Sequence, residues 1–393
     1  FADLSGLVTL NLKGNYLRSF PNVSKWPSIT AVDISNNRLA FKDIIPNLGL
    51  KNTATFNYVP QRRYDETVYD TIQAGENLQL GIQMSGTGLQ YQWKFGAYIP
   101  GQPYNNDVAN ITGANSRVLQ IESIDYSKMG TYRVEVTHPQ VPDLTITSRN
   151  KNIMASTDIF GTVFADNSNT LLTDGPVIIY RRTPAGPFVP EDTTEVDATG
   201  LYGFSNVVLG DFIALARPVR SIFPNTIPTY YEQAELYADA TTIEVRERIE
   251  GVDIQMIFYQ DPTIIETGAD FVGELFTDIE DQGIVDEEGS RVNARRKVKR
   301  AACSMRRFVR SGRGVQEDIY ELYAYVESDD EGRFNFEGVE EGKYLLNIEY
   351  PGVPMDPSSD IEFIVGGDKE NQLFTLTAVI SFYGIELEAT VFL

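Results

Sequence analysis

The sequence is poor in the residues that build metal centres and redox sites. Its 393 residues include one cysteine, Cys303, and one histidine, His138. A single cysteine excludes an internal disulfide, and the two residues leave no cluster of the kind that zinc and iron sites use. A Ser-His-Asp or Cys-His catalytic arrangement would have to use one of these two side chains, which lie in different predicted domains. We therefore predict that the chain is not an enzyme.

Positive charge and long apolar runs are also scarce. The chain carries 33 Lys and Arg against 55 Asp and Glu, for a net charge of −22. This balance disfavours a general nucleic-acid binder, because phosphates are bound by a positive field. No run of about 18 consecutive apolar residues occurs, so the sequence predicts no membrane-spanning segment.

What the chain does contain favours sheet over helix. It has 21 Tyr and 21 Phe, residues that are enriched in strands. Domains usually hold about 100 to 150 residues, so the length predicts three or four separate cores. The expected fold is mainly β and multidomain.

Two stretches near the start repeat one pattern of apolar residues. The first stretch has Asn15 among leucines at positions 4, 7, 10, 12 and 17. The second has Asn37 among apolar residues at positions 29, 32, 34 and 39, with the same spacings. The two asparagines are 22 residues apart, inside the period of leucine-rich repeats. The pattern resembles those repeats, in which the asparagine bonds to turn backbone. We assign residues 1–58 to the end of such an array and expect further repeats before Phe1.

The strand positions of these repeats define a candidate ligand-binding face. The alternative is that the face is only an end cap. Its members are Thr9, Asn11, Lys13, Asp33 and Ser35.

Residues 59–154 resemble an immunoglobulin-like domain. Trp93 occupies the place of the buried strand-C tryptophan, and Tyr132 the place of the tyrosine corner. Leu80 and Val134 stand where the inter-sheet disulfide is expected, so apolar packing must replace that bridge.

A long Pro/Gly-rich loop of this domain carries two tyrosines. Tyr98 and Tyr104 are candidates for stacking on a sugar or a protein partner. The alternative is that both rings fold back on their own sheet.

The rest of the chain contains an internal duplication. Six positions recur with an offset of 132: Gly200, Tyr202, Phe204, Val207, Gly210 and Phe212 match Gly332, Phe334, Phe336, Val339, Gly342 and Tyr344. The pattern resembles prealbumin-like β-sandwiches, which include Cna-B repeats and carboxypeptidase regulatory-like domains. We assign residues 155–262 and 263–393 to two such sandwiches in series.

Gly161 matches Gly273 with an offset of only 112, so the second copy holds about 20 extra residues, which we place at 291–316. Ten basic residues and no acidic one lie between Arg291 and Arg313. As a helix, the segment would present a narrow apolar stripe and a broad basic face. We expect its role to lie in contact rather than in the core, either with acidic groups of this protein or a neighbouring copy, or with an external polyanion. The predicted contact residues are Arg295, Arg296, Lys299, Arg300, Arg306, Arg307 and Arg310, with Val298, Met305 and Phe308 turned toward an apolar surface.

Two weaker signals concern calcium and glycosylation. No cofactor is expected apart from calcium, for which the acidic turns around Asp166, Asp197, Asp329 and Asp330 are candidates, although tight turns prefer the same residues. Thr71 and Thr193 follow an aspartate, as in the O-glycosylation acceptors of Bacteroidetes.

Together these patterns predict a cell-surface adhesin or stalk region. The segment 227–231 with 240–243 resembles a signature that is frequent in surface proteins of Bacteroidetes, which implies an extracellular location and export by the type 9 system. Expected partners are a protein or glycan at the cell surface, self-association is a further candidate, and nucleic acid is not expected. The alternative is an accessory region that attaches a secreted hydrolase to polysaccharide.

Overall fold

The computed structural model describes residues 4, 6–100, 105, 107–166, 169–184, 186–260, 269–277, 296–310, 318–350, 360–366, 374–380 and 385–392. The chain divides into two compact units. The first contains Phe1–Thr157 and Asn206–Leu209, and the second contains Asp158–Ser205 and Gly210–Leu393. Each unit is built mainly from β-strands, as predicted, while the finer division into four domains stays a prediction.

The first unit begins with three short parallel strands, β1 (Thr9–Asn11), β2 (Ala31–Asp33) and β3 (Thr55–Asn57). Leu10 pairs with Val32, and Val32 pairs with Phe56, so equivalent positions of successive stretches stack on one another. A short helix α1 (Phe41–Ile44) and a 3-10 helix (Ile45–Asn52) connect β2 to β3. Apolar side chains such as Ile34 and Leu39 are fully buried between these layers.

Asn37 ties the turns of this stack together. Its buried amide donates to the carbonyl oxygens of Leu12 at 2.9 Å and Ile34 at 3.0 Å, and its Oδ1 accepts from the Leu17 N–H at 3.1 Å. The predicted bonding of this asparagine to turn backbone is confirmed.

A sandwich follows in the first unit. Its strands are β4 (Val68–Gln73), β5 (Leu78–Gly81), β6 (Gln90–Ala97), β7 (Ala109–Asn110), β8 (Val118–Ile121), β9 (Gly130–Thr137), β10 (Ile146–Thr147) and the first part of β11 (Lys151–Phe164), with a 3-10 helix at Tyr126–Lys128. β4 and β9 flank β11, β6 pairs with β9, and β5 pairs with β8 in a separate small sheet.

The core of this sandwich matches the immunoglobulin-like expectation. Trp93 is fully buried, and its indole N–H donates to the Ser116 carbonyl at 2.9 Å. The Tyr132 hydroxyl donates back to the Lys128 carbonyl at 2.6 Å, as a tyrosine corner does. Leu80 and Val134 are both buried, so apolar packing stands in place of the disulfide.

The second unit contains two further two-layered packings of strands. The first uses β12 (Pro176–Arg182), β13 (Phe188–Glu195), β14 (Leu201–Val208), β15 (Gly210–Ala216), β16 (Thr229–Tyr230), β17 (Ile243–Val245) and β18 (Ile254–Gln255), with the remainder of β11 and 3-10 helices at Tyr231–Gln233 and Tyr237–Asp239. One sheet has the order β13-β12-β15-β16, with β17 also on β15, and β18 pairs with β11.

The second packing repeats this plan. Its strands are β19 (Ala269–Thr277), β20 (Arg296–Lys297), β21 (Ala302–Arg310), β22 (Ile319–Glu327), β23 (Arg333–Val339), β24 (Gly342–Glu349), β25 (Ile361–Val365), β26 (Phe374–Ile380) and β27 (Ile385–Phe392). One sheet has the order β22-β21-β24-β25, and the other has the order β20-β19-β27-β26 with β23 on β19. A shared core that includes Phe271, Phe334, Phe336, Tyr344 and Leu346 lies between them.

The described part of the basic segment that forms β21 belongs to this plan. In the first copy Tyr180 of β12 pairs with Ile213, and in the second Arg306 of β21 pairs with Leu345. β21 is therefore the counterpart of β12, and Ala302–Arg310 is an inner strand of its sheet. The helical interpretation of this stretch is wrong, and so is its exclusion from the core, since Cys303 and Met305 are fully buried. Strand alternation places Ser304 and Arg306 on the face opposite Cys303 and Met305.

The duplicated turns are the same in both copies. Gly200 and Gly332 each have a φ of +76°, in the left-handed region that costs a residue with a Cβ about 1 to 2 kcal/mol. Glycine therefore recurs at both positions because the turn needs this backbone conformation.

Candidate functional site

The predicted ligand face of the first unit is a row of polar residues that mainly bond to one another. Thr9, Asn11 and Lys13 are exposed, and the Asn11 side chain accepts from the Lys13 N–H at 3.1 Å. Asp33 accepts from both the N–H and the hydroxyl of Ser35, at 2.9 and 2.6 Å. Partial burial acts against ionisation, yet these hydrogen bonds lower the pKa of Asp33 overall. The row is ordered by internal contacts, and its role in binding stays a prediction.

Two loop tyrosines and two threonines were also candidate site residues. Tyr98 is half-buried, and its ring meets Tyr126 edge to face at 6.5 Å, so it packs on a neighbour from its own sandwich. Tyr104 lies outside the described residues. Thr71 and Thr193 are both exposed on strands, where an O-linked sugar would be accessible.

The acidic turns use their carboxylates to hold the turn backbone. Asp197 accepts from the Thr199 N–H and hydroxyl at 2.7 Å, and these bonds lower the pKa of its carboxyl. Asp329, its duplicate, accepts from the N–H groups of Glu331 and Arg333 at 2.9 and 2.8 Å.

The carboxylates of the other two calcium candidates also contact neighbouring groups of the protein. Asp166 accepts from the Thr170 N–H at 3.2 Å, and Asp330 contacts Lys299 at 3.2 Å. In the part of the chain that the structure describes, no group of three or more His, Cys, Asp and Glu is placed to hold a metal ion.

The basic contact residues have different surroundings. Lys299 contacts Asp330, Arg306 contacts Glu235, and Arg307 contacts Glu340 at 2.8 Å. Arg300 and Arg310 are exposed. Of the remaining two, Arg295 lies outside the described residues, and for Arg296 only the backbone is described, paired with Thr277.

The apolar neighbours of these residues were predicted to face an apolar surface. Val298 and Met305 are buried in the core of the second sandwich. Phe308 is half-buried and meets Tyr320 edge to face at 5.7 Å.

The most elaborate site in the second unit is the contact between its two sandwiches, which we call the joint. Glu349 of β24 is buried, and its Oε1 accepts from the Tyr237 N–H at 2.7 Å and from the Tyr230 hydroxyl at 3.3 Å. Burial raises the pKa of Glu349 to about 8, and the nearby charge of Glu235 adds to the shift. An acid from one sandwich is thus enclosed by the backbone and a phenol of the other.

A second acid crosses the joint in the opposite direction. Glu235 follows β16, and its carboxylate accepts from the Ser304 hydroxyl at 2.5 Å and from the guanidinium of Arg306. Its side chain is only 13% exposed and that of Arg306 only 23%, so this pair is largely shielded from solvent screening. Ser304 and Arg306 lie on the face of β21 opposite the buried Cys303 and Met305.

Apolar and aromatic contacts complete the joint. Tyr259 and Tyr325 lie 6.3 Å apart between ring centroids, and both pack with Ile227 in one buried cluster. The Arg220 guanidinium lies 5.0 Å from the Tyr325 ring and donates to the Tyr259 hydroxyl at 3.0 Å. A cavity of only about 10 Å³ is left beside Glu349, so the two surfaces fit closely.

The two residues that catalysis would have required have structural surroundings. His138 is buried, its Nδ1 accepts from the Gln140 N–H at 3.1 Å, and its ring packs 5.8 Å from Phe41. Cys303 is fully buried, and burial raises the pKa of its thiol. A buried thiol with a raised pKa is unreactive, and the Nε2 of His138 lies 3.1 Å from the Thr87 carbonyl oxygen, so both of its ring nitrogens contact the backbone.

Sequence reasoning missed the joint. Glu235 and Glu349 are two of 55 acidic residues, and nothing local marks them. Glu349 lies on the outer face of its strand, where alternation predicts solvent. One partial signal lies in the sequence, since the motif segments 227–231 and 240–243 include Tyr230 and flank Glu235 and Tyr237, and these three residues supply the first sandwich's share of the joint.

No family model matches the chain, and no curated protein matches it. Solved structures with similar stretches include the TIE protein of Bacillus anthracis, at 16% identity over 76% of this chain and 48% of that one, with a TM-score of 0.20. A streptococcal ancillary pilin matches at 14% identity over 75% of this chain and 96% of its own, with a TM-score of 0.19. Immunoglobulin domains 1–4 of Sidekick-1 match at 10% identity over 79% of each chain, with a TM-score of 0.22.

The chain spans about half the length of the first of these proteins. Across the described ranges, no helix has the length and apolar character needed to cross a bilayer.

Proposed function

We propose that the chain is a non-enzymatic region of a cell-surface or extracellular protein that spaces and presents binding modules. The observation that carries this proposal is the joint. A chain of independent domains would need only a linker between its two duplicated sandwiches, yet here each sandwich buries an acidic side chain against the other.

Buried ionic contacts of this kind favour one arrangement over all others. Opening the joint would separate the Glu235–Arg306 pair and expose the apolar cluster of Ile227, Tyr259 and Tyr325 to water. Sliding the surfaces would break the same bonds, because charge-assisted hydrogen bonds depend on geometry. The joint therefore fixes the angle between consecutive modules, which is what a spacer requires.

The finer features of the proposal come from resemblances in the sequence. We assign the parallel stack at the start of the first unit to the end of a leucine-rich array that presents a binding face. We further assign the protein to the surface of a member of the Bacteroidetes, with O-glycans at Thr71 and Thr193 and calcium at the acidic turns. Intact mass of natively produced protein and thermal denaturation with and without calcium test these last two assignments.

Distance measurement between spin labels tests the spacer function. Thr193→Cys and Glu337→Cys place labels on exposed strands of the two sandwiches, while Cys303 stays unlabelled because it is fully buried. We expect one narrow distance distribution that broadens when Glu235→Ala removes a contact of the joint. The matched variant Glu244→Ala removes an exposed acid and should leave the distribution narrow. A broad distribution in the parent protein would contradict the proposal.

A further inference from the structure

A groove on the first unit is lined by positive charge, although the chain as a whole is negative. It has a volume of about 790 Å³, and its lining includes Arg38, Arg62, Arg63 and Arg149. The other described lining residues are Tyr16, Thr67, Tyr69 and Asn150, so none of them is acidic. In a chain with a net charge of −22, four neighbouring arginines create a local positive field inside a negative surface.

Neutral groups contact two of these arginines, Arg62 and Arg38. The Arg62 guanidinium lies 4.4 Å from the centroid of the Tyr16 ring, and its Nε donates to the Asn36 carbonyl at 2.8 Å. The Arg38 guanidinium lies 5.2 Å from the same ring. Stacking and carbonyl contacts orient a guanidinium without cancelling its charge. These side chains are therefore preorganised for an anion.

A second neutral group holds the other side of the groove. Asn150 Oδ1 accepts from Arg63 at 3.0 Å and from Arg133 Nε at 2.7 Å. Arg63 and Arg133 share this one acceptor, so two guanidinium groups lie close together, and burial, followed by the charge of Arg63, lowers the pKa of Arg133. The Nε atoms of Arg38 and Arg149 are buried without a hydrogen-bond partner among the described residues.

One carboxylate lies at the edge of this region. Glu66 contacts Arg18 at 3.0 Å and Arg38 at 3.8 Å, and its side chain is 66% exposed. A single exposed acid shared between two arginines leaves the groove with a positive excess.

The chemistry of the lining indicates the ligand. Guanidinium groups bind carboxylates and sulfates through paired hydrogen bonds. Tyr16 and Tyr69 are 64% and 62% exposed, and such rings offer flat apolar surfaces beside the charges. A sugar ring can pack on the exposed part of such a ring while its carboxylate or sulfate pairs with an arginine, a combination that the acidic side chains of a peptide do not offer. We propose that the groove binds an anionic carbohydrate chain that carries carboxylates or sulfates.

This inference deepens the proposed function, because it gives a ligand class to one of the presented modules. It depends on the first unit alone, whereas the spacer function depends on the joint in the second unit. Failure of glycan binding and failure of the spacer function can therefore be told apart.

Calorimetry of the whole chain with defined oligosaccharides tests the site. Oligogalacturonate and heparin oligosaccharides serve as the carboxylate and sulfate probes, and cellohexaose serves as the neutral probe. We expect at least one anionic probe to bind and the neutral one not to bind. Arg63→Gln should weaken binding about tenfold, and Tyr69→Ser about three- to tenfold. Both side chains are exposed, so neither change should unfold the protein, which thermal denaturation checks.

The matched control is Arg248→Gln, which removes another exposed arginine, from the second unit, and should leave affinity unchanged. The proposal is overturned if neither anionic probe binds, if cellohexaose binds equally well, or if Arg63→Gln has no greater effect than the control. Tighter binding of a peptide with the sequence of the acidic stretch 278–288 would overturn it in favour of a protein partner or a second copy of the chain.

Discussion

Replacement of Glu349 by glutamine should remove a pH dependence from the stability of the second unit. The residue is only 5% exposed. Burial raises the pKa of its carboxyl to about 8, and the charges of Glu235 and Asp239 act in the same direction. Hydrogen bonds from the Tyr237 N–H and the Tyr230 hydroxyl lower the pKa but offset only part of the shift.

Proton binding determines the direction of the effect. In the unfolded chain the pKa of this carboxyl returns to 4.5. Between pH 4.5 and about 8 the folded unit keeps a proton that the unfolded chain releases, so the free energy of unfolding falls as the pH rises. One pKa unit corresponds to about 1.4 kcal/mol. The unit should therefore lose about 3 kcal/mol of stability by pH 7 and about 5 kcal/mol by pH 8, with no further change from this group above that.

Glu349→Gln keeps an oxygen that accepts from the Tyr237 N–H but cannot ionise. Relative to the parent, the variant should be nearly equal in stability at pH 4.5 and about 3 kcal/mol more stable at pH 7. Glu247→Gln makes the same chemical change at an exposed position and should leave the pH profile unchanged.

The chain supplies separate reporters for its two units. Cys303 is its only cysteine and is fully buried in the second unit, so the fraction labelled by a saturating thiol pulse in urea measures unfolding of that unit. Both tryptophans, Trp26 and Trp93, belong to the first unit, and their emission serves as an internal reference. If the Gln variant and the parent show the same slope of stability against pH between 5 and 8, the reasoning is refuted.

Three further predictions concern the fold. Glu235→Ala should lower the free energy of unfolding of the second unit by about 3 kcal/mol in thiol-pulse experiments, because it leaves a largely buried arginine without its carboxylate. Arg307→Ala breaks an exposed pair and should lower it by less than about 1 kcal/mol. Equal effects of the two changes would contradict this ranking. Asn37→Ala should destabilise the first unit by about 2 to 4 kcal/mol in tryptophan-detected urea unfolding, since it removes a buried amide with four backbone contacts. Asn15→Ala removes an exposed amide and should hardly change the free energy of unfolding of the first unit. A loss as large as that of Asn37→Ala would show that burial does not decide the effect. Gly332→Ala should lower the stability of the second unit by about 1 to 2 kcal/mol through its positive φ, and an unchanged midpoint would mean that the turn can relax.

Much of the architecture could be predicted because its signals are local and repeated. The spacing around Asn37, the paired positions of Trp93 and Tyr132, and the recurrence of Gly200 as Gly332 each reflect a backbone or core requirement that acts within a few residues or recurs along the chain. The same logic failed for Ala302–Arg310, because a stretch with basic residues at mixed spacings fits a helix and a strand about equally well. Only the pairing of β21 with β22 and β24 decides between them.

Composition and spacing alone determined that this protein is mainly β and multidomain. Only the tertiary structure decided which charged residues form the joint and which line the groove. Glu349 and Glu235 acquire their roles from the sandwich packed against them, and the arginines of the groove come together from the stack and the sandwich of the first unit. The physical reason is that burial and Coulomb interactions depend on distances in space, and residues such as Tyr230 and Glu349, 3.3 Å apart in the fold, are far apart in the chain.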